Sequence, residues 1–270
     1  MKTFLLLAIG LAAAAAYPPF YDDPRVFKII GGMPAKKAQF PFLVYVRTQK
    51  TSNGKDSFQC GGSLLNERFV LTAAHCLDDY RSGEVMVGST TLDGPGQWSP
   101  IKKVMKHSEY IGAPQHYHDI AILEIDPVRI NDQVKPVRIV KDDSALIKTP
   151  KATAIGFGTY NGKFFTSTYL RHTNVRLFSA SECKQKKGDY INESQLCAGD
   201  MGKGTGSGDS GGPLLVSTKD GLVQIGITSH GSASYLDMMY HQHKHPDVYV
   251  RVSKYCDWIA KTTNGVVKCK

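Results

Sequence analysis

Ser210 sits in the run G-K-G-T-G-S-G-D-S-G-G-P-L from Gly202 to Leu214, framed by Gly208, Asp209, Gly211 and Gly212. Six glycines and Pro213 make this run unfit for helix, since each Gly costs about 1 kcal/mol there and Pro about 3. Such a backbone can bend through positive φ and leave main-chain N–H groups aimed outward. A hydroxyl beside two such donors, with no Cβ crowding an incoming carbonyl, is what acyl transfer needs. A serine must still be activated by a base, and the base oriented by a third group. Thr72-Ala73-Ala74-His75-Cys76 offers the base at the end of an apolar run, next to a cysteine that can pin it. His118-Asp119-Ile120-Ala121-Ile122-Leu123 offers a carboxylate entering a buried strand, where an unpaired charge would be costly. A flexible Gly/Ser linker is the bland alternative for residues 202–214, but Leu214-Leu215-Val216 begins an apolar strand at once.

The order His75, Asp119, Ser210 is the one found in chymotrypsin-type enzymes, and the chain from residue 29 to about 262 resembles the trypsin/chymotrypsin (S1) family of serine endopeptidases. Within it, G-K-G-T-x-x-G-D-S-G-G-P, I-T-S-x-G and P-D-x-Y-x-R-V-x-x-Y-x-D-W-I most resemble the brachyurins, the arthropod collagenolytic and chymotrypsin-like branch. The resemblance implies two antiparallel six-stranded β-barrels with a short C-terminal helix. It implies His75, Asp119 and Ser210 as the catalytic residues, and the Gly208 and Ser210 amides as the oxyanion hole. It also implies activation by cleavage after Lys28, the new Ile29 ammonium pairing with Asp209. Gly208-Asp209-Ser210-Gly211-Gly212 satisfies the G-x-S-x-G elbow of α/β-hydrolases too, but that elbow leads into a helix, which Gly211-Gly212-Pro213 refuses.

The elements that must position these residues read as short strands. Phe42–Arg47, Gly62–Leu65, Phe69–Ala73, Glu84–Val87, Ile101–Lys106 and Ile120–Ile125 suffice for one barrel carrying His75 and Asp119. Asn131–Asp143 reads as the connector. Ala152–Ile155, Tyr169–Leu177, Gln195–Ala198, Pro213–Ser217, Leu222–Thr228 and Asp247–Arg251 form a second series carrying Ser210. Two helices are expected: Ser179–Lys187, with Ser179 and Glu182 as a capping box, and Val252–Lys261 at the end. The peptidase unit is expected over 29–270, with 29–135 mainly the first barrel and 136–270 mainly the second. Before it, Met1–Ala16 reads as a secretory signal and Tyr17–Lys28, Pro-rich and acidic in its middle, as an activation propeptide. A secreted, extracellular zymogen follows from that reading.

The six cysteines of a secreted chain imply three disulfides. Local spacing and the resemblance both favour Cys60–Cys76, Cys183–Cys197 and Cys256–Cys269. Where the family usually has a cysteine two positions after Gly204, this chain has Gly206, and no partner cysteine lies between Gly231 and Pro246. The brace of the specificity (S1) pocket is therefore expected to be missing. For that pocket the resemblance implies Gly204 at the floor, six residues before Ser210, with Thr205, Ser229, Gly231 and Asp247 in the walls. Gly204 would leave room for long apolar P1 side chains and Gly231 an open entrance. Asp247 would offer a charge to Arg or Lys, so broad or chymotrypsin-like P1 acceptance is expected.

The formal charge of +9 comes from scattered basic residues and short pairs, with no stripe of interleaved aromatics, so nucleic-acid binding is not expected. Nor is a membrane span. His241-x-His243-x-His245 would align three imidazoles on a strand, but a solvated loop is the preferred reading and no metal is called. Calcium is not expected either, since Gly88–Pro100 has only Asp93 as a carboxylate, and no cofactor is called. The expected partners are protein or peptide substrates, an activating protease and protein protease inhibitors, with the enzyme a monomer. The competing function class is a non-catalytic protease homologue that binds or scaffolds proteins; against it, Ser210, His75 and Asp119 are all retained.

Overall fold

The structure is a computed structural model that describes residues 29–50, 57–158 and 167–270. The expected signal, propeptide and Lys28 lie outside the described residues. A two-residue strand, β1 (Met33–Pro34), opens the chain, and the first barrel follows. It comprises β2 (Leu43–Gln49), β3 (Ser57–Leu64), β4 (Phe69–Thr72), β5 (Ser82–Val87), β6 (Gln97–Lys106) and β7 (Ala121–Ile125). Antiparallel pairing in the order β2-β3-β4-β7-β6-β5 closes it. Val, Ile and Leu recur on the buried side of these strands, and Val44, Val46, Leu64, Val70, Leu71, Val85, Ile122 and Leu123 are wholly buried in one core. The pleat turns alternate side chains to opposite faces, so such patterning commits each strand to one register.

The connector contributes β8 (Arg138–Ile139), which pairs in parallel with a strand at the margin of the second sheet. That sheet contains β9 (Lys151–Gly156), β10 (Arg171–Leu177), β11 (Gln195–Gly199), β12 (Pro213–Thr218), β13 (Gly221–His230) and β14 (Asp247–Arg251). The pairings β9-β10-β11-β14-β13-β12-β9 close it into a second six-stranded antiparallel barrel. Along β12 the alternation is legible: Leu214 and Val216 enter the second barrel's core, while Leu215 joins the larger cluster shared with the first barrel.

Helix is scarce. Helix α1 (Ala180–Lys187) starts at the expected capping box, with the Ser179 side chain accepting from the Glu182 amide and Glu182 accepting from the Ser179 amide. The expected C-terminal helix is divided: Val252–Tyr255 forms a 3-10 turn, and the α-helix proper, α3, spans Cys256–Thr262. Between α1 and that turn lies α2 (Tyr235–Tyr240), a helix the sequence reading did not expect. Ile259 of α3 is wholly buried against the shared core, and the Cys256–Cys269 disulfide ties the helix to the chain end. Cys60–Cys76 and Cys183–Cys197 are likewise joined, as expected.

Candidate active site

His75 begins a single 3-10 turn just after β4, Asp119 lies two residues before β7, and β4 and β7 are paired. Their pairing draws together residues far apart in sequence. The His75 Nδ1 and Asp119 Oδ2 atoms are 2.7 Å apart, and the His75 amide donates to Asp119 Oδ1 at 2.9 Å. The Ser229 hydroxyl donates a third bond to Asp119, at 2.6 Å to Oδ2. Burial alone would raise the Asp119 pKa, but these donors hold the carboxyl below its ordinary value. Burial in turn depresses His75, yet the hydrogen bond and charge of Asp119 override it and leave the imidazole above its usual value. A neutral His75 is thus an Nε2 base whose other nitrogen is held by a carboxylate.

Ser210 reaches the same place from the other barrel. Its carbonyl accepts from the Gly61 amide at 2.7 Å, and Cys76 Sγ lies 3.6 Å from that carbonyl oxygen and 4.0 Å from His75 Nε2. The Cys60–Cys76 bridge therefore touches both residues. Around Ser210 the amides of Asp209, Gly211 and Gly212 are used internally, donating to Gly206 O, Thr228 O and Asp209 O. Among the described residues the Gly208 and Ser210 amides have no such acceptor. Gly211 has φ +81°, and a Cβ there would run into Thr72 Oγ1 and Gly61 O, so only glycine lets the two barrels meet this closely.

Two further imidazoles stand beside His75. His116 meets it edge to face at 5.7 Å and stacks on His230 at 4.7 Å. Burial, together with the neighbouring His116 and Lys187, pushes His230 down to about 3, and burial lowers His116 as well. Both are neutral near pH 7.

Asp209 points away from the cleft and is fully buried. The Gly158 amide donates to its Oδ1 at 2.7 Å and the Gly206 amide to its Oδ2 at 2.9 Å. Burial outweighs these two bonds and lifts the carboxyl to about 7. Side chains at Gly156 or Gly158 would collide with it. Ile29 and Ile30 are buried too, and the Ile30 carbonyl accepts from the Gly204 amide at 3.1 Å. Residues 29–32 thus already rest against the loop that leads to Asp209.

A cavity of about 140 Å3 opens beside Ser210, walled by Thr205, Ser229, Gly231, Met238 and Asp247. Asp247 does not swing out to solvent: it is buried at the start of β14, and Oδ2 accepts from the Thr205 amide at 2.9 Å and the Thr205 hydroxyl at 2.6 Å. Burial raises it to about 6. Gly231 lies in the wall as expected, and a Cβ there would also strike Asp247 Oδ1. Gly204 is absent from the lining, contrary to expectation. The space its side chain would take is filled by the Gln242 amide, which sequence reading missed. No local signal marks Gln242; the loop that carries it has no disulfide and no regular pattern.

The histidines of residues 241–245 do not form a strand. They follow α2, where His241 Nδ1 is 3.3 Å and His245 Nε2 3.7 Å from Asp237 Oδ1. Asp237, four residues before His241, thus supplies a carboxylate beside them.

Comparison with known proteins agrees with this geometry. The trypsin family model matches residues 29–259. The chain belongs to the trypsin family of serine proteases. It is 35% identical over 262 residues to CLIP domain-containing serine protease B10 of Anopheles gambiae, covering 88% of this chain and 70% of that protein. It is 30% identical over 270 residues to Trypsin 5G1 of Aedes aegypti, covering 97% and 96% respectively. Among solved structures, mouse neuropsin, titled a serine protease expressed in the limbic system, superposes with a TM-score of 0.72 at 30% identity, over 86% of this chain and 98% of that one. The trypsin-family barrels explain why Ser210 and the His75–Asp119 pair come from different halves of the chain.

Proposed function

We propose that this trypsin-family chain is a secreted serine endopeptidase, made as a zymogen and activated by cleavage after Lys28. The observation that carries the reading is Asp119, a buried carboxylate holding His75 by two bonds, while among the described residues the Gly208 and Ser210 amides have no internal acceptor. In the proposed cycle His75 Nε2 takes the Ser210 hydroxyl proton as Oγ attacks the peptide carbonyl. The Gly208 and Ser210 amides hold the oxyanion. The intermediate collapses, the C–N bond breaks, and His75 returns the proton to the leaving amine. Water, deprotonated by His75, then releases the acyl group from Ser210 by the same steps in reverse.

Gly204 in place of an acidic floor argues against selectivity for Arg and Lys, and we assign a chymotrypsin-like preference for apolar P1 residues. The brachyurin branch, and with it action on collagen, rests on the motifs around Gly204, Ser229 and Asp247. The site needs no metal or cofactor for this cycle. Substrates are proteins or peptides met outside the cell by a monomer, with an activating protease and protein inhibitors as partners. Hydrolysis of casein by the processed chain, abolished in Ser210→Ala and absent from a Lys28→Gln precursor, is the expected result. Equal hydrolysis by Ser210→Ala would overturn the assignment.

A further inference from the structure

Gln242 is wholly buried, and its Oε1 has no hydrogen-bond partner among the described residues. Its Nε2 donates to the Thr205 carbonyl at 2.9 Å and to the Met238 carbonyl at 3.0 Å. One bond ties the amide to the loop below Ser210, the other to helix α2, which ends just before it. The same residue presses on β11, where a Cβ at Gly199 would lie 2.8 Å from the Gln242 carbonyl oxygen and 3.0 Å from its Cβ. A side chain at Gly204 would run into Gln242 Oε1 and Cδ. The amide therefore stands where the floor residue would project, and three contacts fix it there.

We propose that Gln242 is the floor of the S1 cavity, shortening it so that P1 Leu and Phe are accepted while the longer Tyr, Arg and Lys are turned away. This deepens the peptidase reading and rests on it. The size argument is direct: a cavity of about 150 Å3 takes a benzene ring, and the 140 Å3 beside Ser210 is close to that. A phenyl ring matches that size, and the buried Gln242 amide lies beneath the lining, where a para hydroxyl or a guanidinium would have to extend. An orphaned carbonyl at the floor does not invite a donor inward, because Oε1 lies sealed beneath the lining. Asp247 remains on the wall, so removing the plug would expose a carboxylate to a cation that could then extend.

The test uses the chain processed after Lys28, with active sites counted by a phosphonate probe, and P1 Leu, Phe, Tyr and Arg substrates of one sequence. Tyr against Phe, and Arg against Leu, are each expected to be disfavoured at least tenfold in kcat/KM, a ratio typical of a misfit in a closed pocket. Gln242→Gly should raise both ratios by about tenfold or more. Gln242→Met, which keeps the bulk, should leave them low. Gln242→Gly combined with Asp247→Asn should keep the gain for Tyr and lose that for Arg. Loosening of the loop alone would not separate these two. A second readout needs no catalysis: p-aminobenzamidine fluorescence should report tight binding only to Gln242→Gly, including on a Ser210→Ala background. Equal cleavage after Tyr and Phe in the wild type overturns the proposal, as does a folded Gln242→Gly with unchanged ratios and no gain in p-aminobenzamidine binding. Failure of phosphonate labelling would instead overturn the peptidase reading, and the binding arm would still decide the floor.

Discussion

Asp119 accepts three hydrogen bonds, two from His75 and one from Ser229. That count sets how the cleft responds to pH. His75 is raised, so its protonated, inactive form persists above the ordinary imidazole value of about 6.5. The rate kcat/KM is therefore expected to rise with pH through a midpoint above that value, as peptide hydrolysis from pH 5 to 9 will show. Asp119→Asn removes the acceptor that fixes the tautomer and should lower kcat by about 10^4-fold at neutral pH, with the fold intact by circular dichroism. Sequence showed His75, Asp119 and Ser210 because each sits in a distinctive local setting. The Ser229 bond was not legible. It spans 110 positions of chain and depends on how β13 passes β7, while the local string T-S-H-G speaks only of a pocket wall.

The barrel strands were legible for a physical reason, since buried β-branched and apolar residues recur in short runs cut by Gly, Pro, Asn and Asp. Every expected strand overlaps an observed one, with ends differing by a few residues. Helix α2 escaped because none of its residues is buried, so it leaves no apolar period to read. It nonetheless leads directly into the turn that carries Gln242, and its Met238 carbonyl accepts from the Gln242 amide. The helix expected over Val252–Lys261 is present, although its first turn tightens to 3-10 before α3 begins. The Cys256–Cys269 disulfide closes a short loop around this helix. Replacing both cysteines with Ala is expected to cost about 3 kcal/mol in urea unfolding, as for a loop of similar length. An unchanged midpoint would mean that Ile259 and the shared core already hold α3 in place.

On the scale of the whole molecule, the proposed activation would tie Asp209 to the stability of the chain. Burial lifts its carboxyl to about 7, well above the unfolded value. The folded precursor then holds a proton that the unfolded chain releases, so the Asp209 contribution is favourable at low pH and lost as pH rises from about 4 to 7. Asp247, raised to about 6, acts in the same sense. Cleavage after Lys28 would bring an ammonium at Ile29 to Asp209 and abolish that loss. Melting temperatures should therefore separate as pH rises from 4 to 8, the processed form gaining on the precursor. The precursor with Asp209→Asn should lose part of its pH dependence over that range and keep the part that Asp247 supplies. A gap between the two forms that stays constant with pH would show that Asp209 is not the partner of the new amino group.

The central claim, that Ser210 is a nucleophile switched on by processing, is tested most directly by one mass measurement. The precursor and the chain cut after Lys28 are each treated with a peptidyl phosphonate, digested, and the adduct located. One adduct on Ser210 in the processed chain, little or none in the precursor, and loss of the adduct in His75→Ala are the results expected. A processed, folded chain that stays unlabelled, or that is labelled at another residue, would contradict the account.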